Sequence, residues 1–138
     1  MVLIFGGVYQ GKLEYALKHF SLQKEDVYFC TDADTVIPGG KKIIYELEKW
    51  ILALVKAEES PDQVRDNVGG VDISARTKRL LADNPDAIFI CNDISCGIVP
   101  IDPVMRKWRE ETGRVMGYIA QCAPQVVRLL CGIPTKLV

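Results

Sequence analysis

Histidine is almost missing from this chain: among its 138 residues there is one, His19. Chemistry that needs an imidazole nucleophile must use that residue or do without. Long apolar runs are missing too. No stretch approaches the roughly 20 apolar residues that span a bilayer. The opening MVLIFGGVYQGK lacks the basic region of a signal peptide and reads instead as a strand. Charge of either sign is not in excess, since the formal net charge is -1. Nothing draws the whole molecule toward nucleic acid or an anionic membrane, so a small anion would have to be captured locally. The five cysteines (Cys30, Cys91, Cys96, Cys122, Cys131) are odd in number and show no CxxC spacing. Three of them sit in or beside apolar runs, which predicts buried free thiols and a reducing, cytoplasmic compartment. Repeats, linkers and low-complexity tracts are absent, and the length fits one domain spanning 1–138.

What remains is an alternation of strand and helix patterns. Val2–Phe5 is a continuous apolar run of the kind that forms a strand buried on both faces. Lys12–Phe20 follows, with Leu13, Ala16, Leu17 and Phe20 on one helical face. Val27–Cys30 predicts a second strand. Lys41–Ala57 gives a long helical stripe through Ile43, Ile44, Leu47, Trp50, Ile51, Leu54 and Val55. Ser60-Pro61-Asp62 reads as a helix start, Gly69-Gly70 as an interruption, and Asp72 as the cap of a further helix through Leu81. Ala87–Cys91 predicts another buried strand, Pro103–Gln121 an amphipathic helix and Val126–Cys131 a strand. Thr135–Val138 is then expected to return antiparallel across Gly132–Pro134. Such alternation argues for a mostly parallel sheet with helices on both faces.

The turn between the first strand and helix carries the strongest chemical signal. Gly6-x-x-x-x-Gly11-Lys12 fills the first seven places of the Walker A pattern, after a strand and at the opening of a helix. Glycines let backbone N–H groups point inward around an anion. The helix N-terminus adds partial positive charge, and Lys12 a full one. Gly6, Gly7, Val8, Tyr9, Gln10, Gly11, Lys12 and Leu13 are therefore expected to form the nucleotide-binding turn, with Lys12 and the backbone on the phosphates. The competing reading is a glycine-rich turn with a surface lysine. At the eighth place stands Leu13, where the pattern has Ser or Thr to coordinate magnesium. The motif thus points to binding more directly than to turnover.

Further on, Asn92–Pro100 (NDISCGIVP), Arg106-x-x-Arg109, Gly113-Arg114-Val115 and Cys131-Gly132-Ile133 carry a resemblance. With the first strand and the glycine turn, they resemble the adenosylcobinamide kinase/adenosylcobinamide-phosphate guanylyltransferase family. The family segments read N-E-V-G-x-G-I-V-P and R-x-x-R-D-x-x-G-R-x-N, with a closing strand that ends in G-I or G-L. The likeness covers about the first twenty and the last fifty-five residues. It implies a P-loop NTPase with a RecA-like sheet, assembled as a homotrimer. It also implies ATP or GTP with magnesium, and a corrinoid substrate phosphorylated on its aminopropanol hydroxyl. Transfer of GMP through a guanylyl-histidine follows in that family. By the same resemblance Lys12 and Asp93 are catalytic, Asp93 standing where the family has Glu. Arg106, Arg109 and Arg114 would contact phosphate; the alternative is a solvated helix that pairs with Glu110 and Glu111. Met116 replaces the family Asn, and Glu110 its Asp.

One departure is decisive for the second activity. The guanylylated histidine of the family lies after the second strand, and TDADTVIPGGKK contains none. His19 is expected on a solvent-facing helix surface, so guanylyl transfer is not expected. The family's middle strand, D-C-L-T or E-C-I-T, has Val27–Asp34 as its nearest counterpart, leading into the Lys41–Ala57 helix. That would set Asp32 or Asp34 near a metal, although turn and cap duties explain both equally well. Trp50 is expected in the core, and Tyr9 either stacks on a ring or shields the loop. Two readings follow: a cobinamide kinase-like enzyme, or a module that binds nucleotide or corrinoid without chemistry.

Overall fold

The computed structural model describes residues 1–59, 72–94 and 101–137. The expected helix start at Ser60-Pro61-Asp62, the Gly69-Gly70 interruption, Cys96 and Gly97–Pro100 lie outside the described residues. Strands β1 (Val2–Gly6), β2 (Val27–Phe29), β3 (Ile43–Tyr45), β4 (Ile88–Asn92), β5 (Gln125–Leu130) and β6 (Ile133–Lys136) form one sheet. Its order is β2-β3-β4-β1-β5-β6, parallel throughout except for β6, which pairs antiparallel with β5. Helices α1 (Lys12–His19), α2 (Leu47–Glu59), α3 (Ile73–Asp83) and α4 (Pro103–Cys122) cover it.

Strand periodicity sorts the core into two layers. Successive side chains point to opposite faces. On one face Leu3, Ile44, Phe89, Cys91 and Val126 meet α2, α3 and α4 through Trp50, Leu54, Leu80, Val115 and Ile119. On the other, Val2, Ile4, Ile43, Ile88, Ile90 and Val127 meet α1 through Ala16, with Leu13, Leu17 and Phe20 packed alongside. A sheet covered on both faces explains why these strands are near-continuous apolar runs.

Most expected elements are present at nearly the expected bounds. Asp72 caps α3, its carboxylate accepting the Ala75 N–H at 3.1 Å, and Asp102 does the same for α4. The hairpin between β5 and β6 is tighter than expected. Leu130 pairs with Ile133 across Cys131 (φ 52°) and Gly132 (φ 76°), and two positive φ values suit a two-residue turn that follows the strand twist.

One expectation is overturned. Lys41–Ala57 is not a single helix: Ile43–Tyr45 is β3, and α2 begins at Leu47. Ile43 and Ile44 sit on opposite faces of a doubly buried strand, and both also happen to fall on the helical stripe that runs on through Leu47 and Trp50. β2 and β4 supply partners for the backbone of β3, and β-branched residues favour that pleated setting. Glu46 (φ 59°) turns the chain from strand to helix. β3 is therefore one of the interior strands, and Val27–Asp34 supplies the edge strand β2 instead.

Candidate functional site

In open parallel sheets ligands gather outside the carboxyl ends of the strands, where neighbouring connections diverge. Here β1 ends at Gly6, flanked by β4 and β5, and α1 leaves directly from the glycine turn. Gly6 is packed so closely that a Cβ would lie 2.4 Å from the Leu129 carbonyl oxygen. Tyr9 (φ 61°) and Gly11 (φ 81°) take left-handed conformations, which curl the backbone back toward the helix start. The Cys131 N–H donates to the Gln10 side-chain carbonyl, tying the turn to the β5–β6 hairpin. From the other side, the Asp93 N–H donates to the Gly6 carbonyl at 2.8 Å.

Lys12 is no surface lysine. It is 4% exposed, and its ammonium donates to the Gly7 carbonyl at 2.5 Å, inside the turn that it follows. Burial pulls its pKa below the ordinary lysine value, while Glu48, Cys91, Glu14 and Glu46 act in the opposite direction. Leu13 packs on the α1 face of the sheet and brings no oxygen to the turn. Tyr9 is 99% exposed, its ring free to meet a ligand or solvent.

Two acidic residues that the sequence reading passed over stand at this edge. Glu46 follows β3, and its Oε2 pairs with Lys49 at 2.6 Å. Glu48, in the first turn of α2, is 4% exposed. Its Oε1 accepts the Asn92 backbone N–H at 3.0 Å and its Oε2 the Asn92 side-chain amide at 2.7 Å. Burial raises the Glu48 carboxyl pKa, and the Asn92 bonds oppose that shift. The Trp108 indole N–H donates to the Glu48 carbonyl at 2.7 Å, so α4 is fastened to the same point. These contacts join residues 44 and 60 positions apart. Sequence spacing gives no sign of them, and the false helix over Lys41–Ala57 hid Glu46 as a strand-end residue.

Two cavities meet here. One, of ≈ 600 Å³, follows the glycine turn and is lined by Gln10, Gly11, Lys12, Leu13, Tyr45 and others. The second, of ≈ 490 Å³, lies under Trp108, with Cys30, Asp32, Glu48 and Leu52. Val8, Glu46, Lys49 and Asn92 line both.

The remaining expected site residues are dispersed. Asp32 rims the second cavity and is paired with Lys56 at 2.9 Å. Asp34 accepts the Thr31 hydroxyl at 3.2 Å. Both follow the edge strand. Among the described residues no group of three His, Cys, Asp or Glu is placed to hold a metal. Of α4, the described lining contains Trp108 and none of Arg106, Arg109 or Arg114. Arg114 pairs with Glu110 and Glu111, the arrangement of a solvated helix face. His19 is exposed at the far end of α1, stacked on Tyr15, roughly 10 Å of helix rise from Lys12. Cys30 and Cys91 are buried free thiols as expected, whereas Cys122 and Cys131 are free and exposed. Among the described residues no helix is long and apolar enough to cross a membrane.

The model of a family described as cobinamide kinase / cobinamide phosphate guanyltransferase matches residues 41–137, more than half of the chain. The matched span begins after the glycine turn. No curated protein matches the chain.

Proposed function

The chain belongs to the cobinamide kinase / cobinamide phosphate guanyltransferase family of cobalamin biosynthesis, and from that premise we propose that it is the kinase half of the family's chemistry that this protein carries. The donor is ATP or GTP, held by the Gly6–Lys12 turn. The observation that carries the reading is the burial of the Lys12 ammonium within the turn, at the carboxyl end of β1. A buried cation whose hydrogen bond goes to a backbone carbonyl is suited to anionic oxygens, and helix α1 presents its N-terminal N–H groups to the same space.

The acceptor hydroxyl oxygen forms a bond to the terminal phosphorus, and the bond from that phosphorus to the bridging oxygen breaks. Nucleoside diphosphate leaves, and the hydroxyl proton is released to the transferred phosphate or to water. Such transfer depends mainly on positioning and charge stabilisation. Lys12, and Lys49 on the wall between the cavities, supply positive charge. Asp93, whose N–H holds the Gly6 carbonyl, fixes the loop opposite the turn. Magnesium bound with the nucleotide would neutralise phosphate charge. With Leu13 offering no oxygen and both Glu48 oxygens engaged by Asn92, Glu14 and Glu46 are the carboxylates of this cavity that would meet it.

Guanylyl transfer falls outside this reading, because the segment after β2 lacks an imidazole. The homotrimer implied by the resemblance belongs to it. The exposed Leu130, Ile133 and Leu137 along the β6 edge are the apolar surface that supports an assembly. Leu13 favours a second reading, in which the turn binds nucleotide and no transfer follows.

The test incubates the protein with γ-labelled ATP or GTP, magnesium and cobinamide. Labelled cobinamide phosphate, lost in Lys12→Ala, is expected. Nucleotide binding without product supports the second reading. An acid-labile covalent GMP adduct would overturn the exclusion of guanylyl transfer.

A further inference from the structure

Away from the glycine turn, a cavity of ≈ 360 Å³ opens between helix α3 and the segment that joins β2 to β3. None of its lining residues lines either cavity of the candidate site. We propose that it is a second binding site, which takes a small monocarboxylate with an apolar body, independently of the kinase reading.

Charge is the first support. Arg76 of α3 lines the cavity and is half-buried. Among the described residues no ion pair or hydrogen bond engages its guanidinium, whereas Arg114 on α4 is held by two carboxylates. A guanidinium does not shed its proton, so partial burial leaves this one charged and in need of an anion. Arg79 and Asp83 line the cavity further along α3 and pair with each other at 3.9 Å. Their side chains are 84% and 55% exposed, which makes that pair loose and well screened. Two guanidinium groups thus stand against one carboxylate, and the lining has room for one negative charge. A planar carboxylate matches the fork of Arg76 with two parallel N–H···O bonds. A doubly charged phosphate would keep an uncompensated charge against apolar walls.

Shape is the second. Val36, 70% exposed, stands at the rim, and Ile37, Trp50 and Leu80 supply apolar walls. The segment carrying Val36 and Ile37 is pinned on both sides. The Trp50 indole N–H donates to the Thr35 carbonyl at 3.0 Å, and the Lys41 N–H to the Asn84 side-chain carbonyl at 3.1 Å. Asn84 is itself buried at the end of α3. Both walls therefore stand before a ligand arrives, and little ordering is left for binding to impose. The volume suits a single ring with its carboxylate and excludes a much larger body.

The test titrates the full chain with cyclohexanecarboxylate by calorimetry, beside acetate and cyclohexylmethanol. Half-saturation is expected at about 1 mM, with acetate and the alcohol weaker by about tenfold or more. The Trp50 indole N–H resonance is expected to shift with the same saturation. Arg76→Met keeps the apolar stem and removes the charge, and Val36→Asp adds a carboxylate at the exposed rim. Each is expected to weaken cyclohexanecarboxylate by about tenfold while circular dichroism stays that of the wild type. No saturation by about 20 mM would overturn the site. So would a saturating titration that leaves the Trp50 indole unmoved, or an affinity unchanged in both variants. The alcohol binding as well as the carboxylate would overturn its charge selection, and acetate doing so would overturn the apolar body.

Discussion

Gly6 and Lys12 set the turn from its two ends, and each makes a separate demand. At Gly6 the obstacle is the Leu129 carbonyl oxygen, 2.4 Å from where a Cβ would sit. That oxygen is backbone in the neighbouring strand and cannot rotate away. Gly6→Ala is expected to cost about 1–3 kcal/mol of stability in urea unfolding, since the strand must shift to accept one carbon. An unchanged unfolding midpoint would show that the turn is looser than described. At Lys12 the demand is electrostatic. Burial lowers its pKa, so the ammonium loses its proton at a lower pH than an ordinary lysine. Between the lowered value and the ordinary one, the unfolded chain binds the proton that the folded chain has released. Stability contributed at this site therefore rises with pH across that window. Nucleotide affinity needs the charged form and falls across the same window. Wild type compared with Lys12→Met should show these opposite trends, followed by thermal unfolding and nucleotide titration at each pH. A wild-type affinity that stays flat through the window would remove Lys12 from phosphate contact.

At the scale of elements, the junction of β3 and α2 organises the site. Glu46 turns the chain, and Glu48 then reaches the end of β4 through both oxygens while its carbonyl receives Trp108 from α4. Glu48→Ala removes an ionised acceptor from two donors that stay half-buried. The expected loss is about 1.5–3 kcal/mol by equilibrium unfolding. Glu48→Gln, which keeps one acceptor oxygen, should lose less. Equal losses in the two variants would mean that packing, not the Asn92 bonds, holds this corner. The junction is also where sequence reading failed, and for a definite reason. Ile43 and Ile44 satisfy a helical stripe and a doubly buried strand alike, and only the pairing with β2 and β4 decides between them. The β1–turn–α1 unit was legible because its signal is local: an apolar run, two glycines at fixed spacing, then lysine. The second cavity was not, because Cys30, Glu48, Asn92 and Trp108 are far apart in sequence and meet only in the fold.

For the whole molecule, strand order explains why these pieces converge. β4 lies between β1 and β3, so the glycine turn, Glu46 and Asn92 end side by side at one edge of the sheet. Among the described residues, α1 covers one face, and α2, α3 and α4 cover the other. The cavity under Trp108 consequently draws on α2 and α4, and the cavity along the glycine turn on the start of α1. Parallel order and two-sided covering were readable from the alternation of apolar runs and amphipathic stripes. Which of β2 and β3 lay inside the sheet was not, since Val27–Phe29 and Ile43–Tyr45 are equally short and apolar. The central claim is that the Gly6–Lys12 turn grips nucleotide phosphate, and backbone amide spectroscopy tests it most directly. On addition of GTP or ATP, the N–H resonances of Gly7 to Leu13 are expected to shift together and to saturate, and Lys12→Ala should abolish the effect. Shifts that saturate elsewhere while those amides stay still would contradict it.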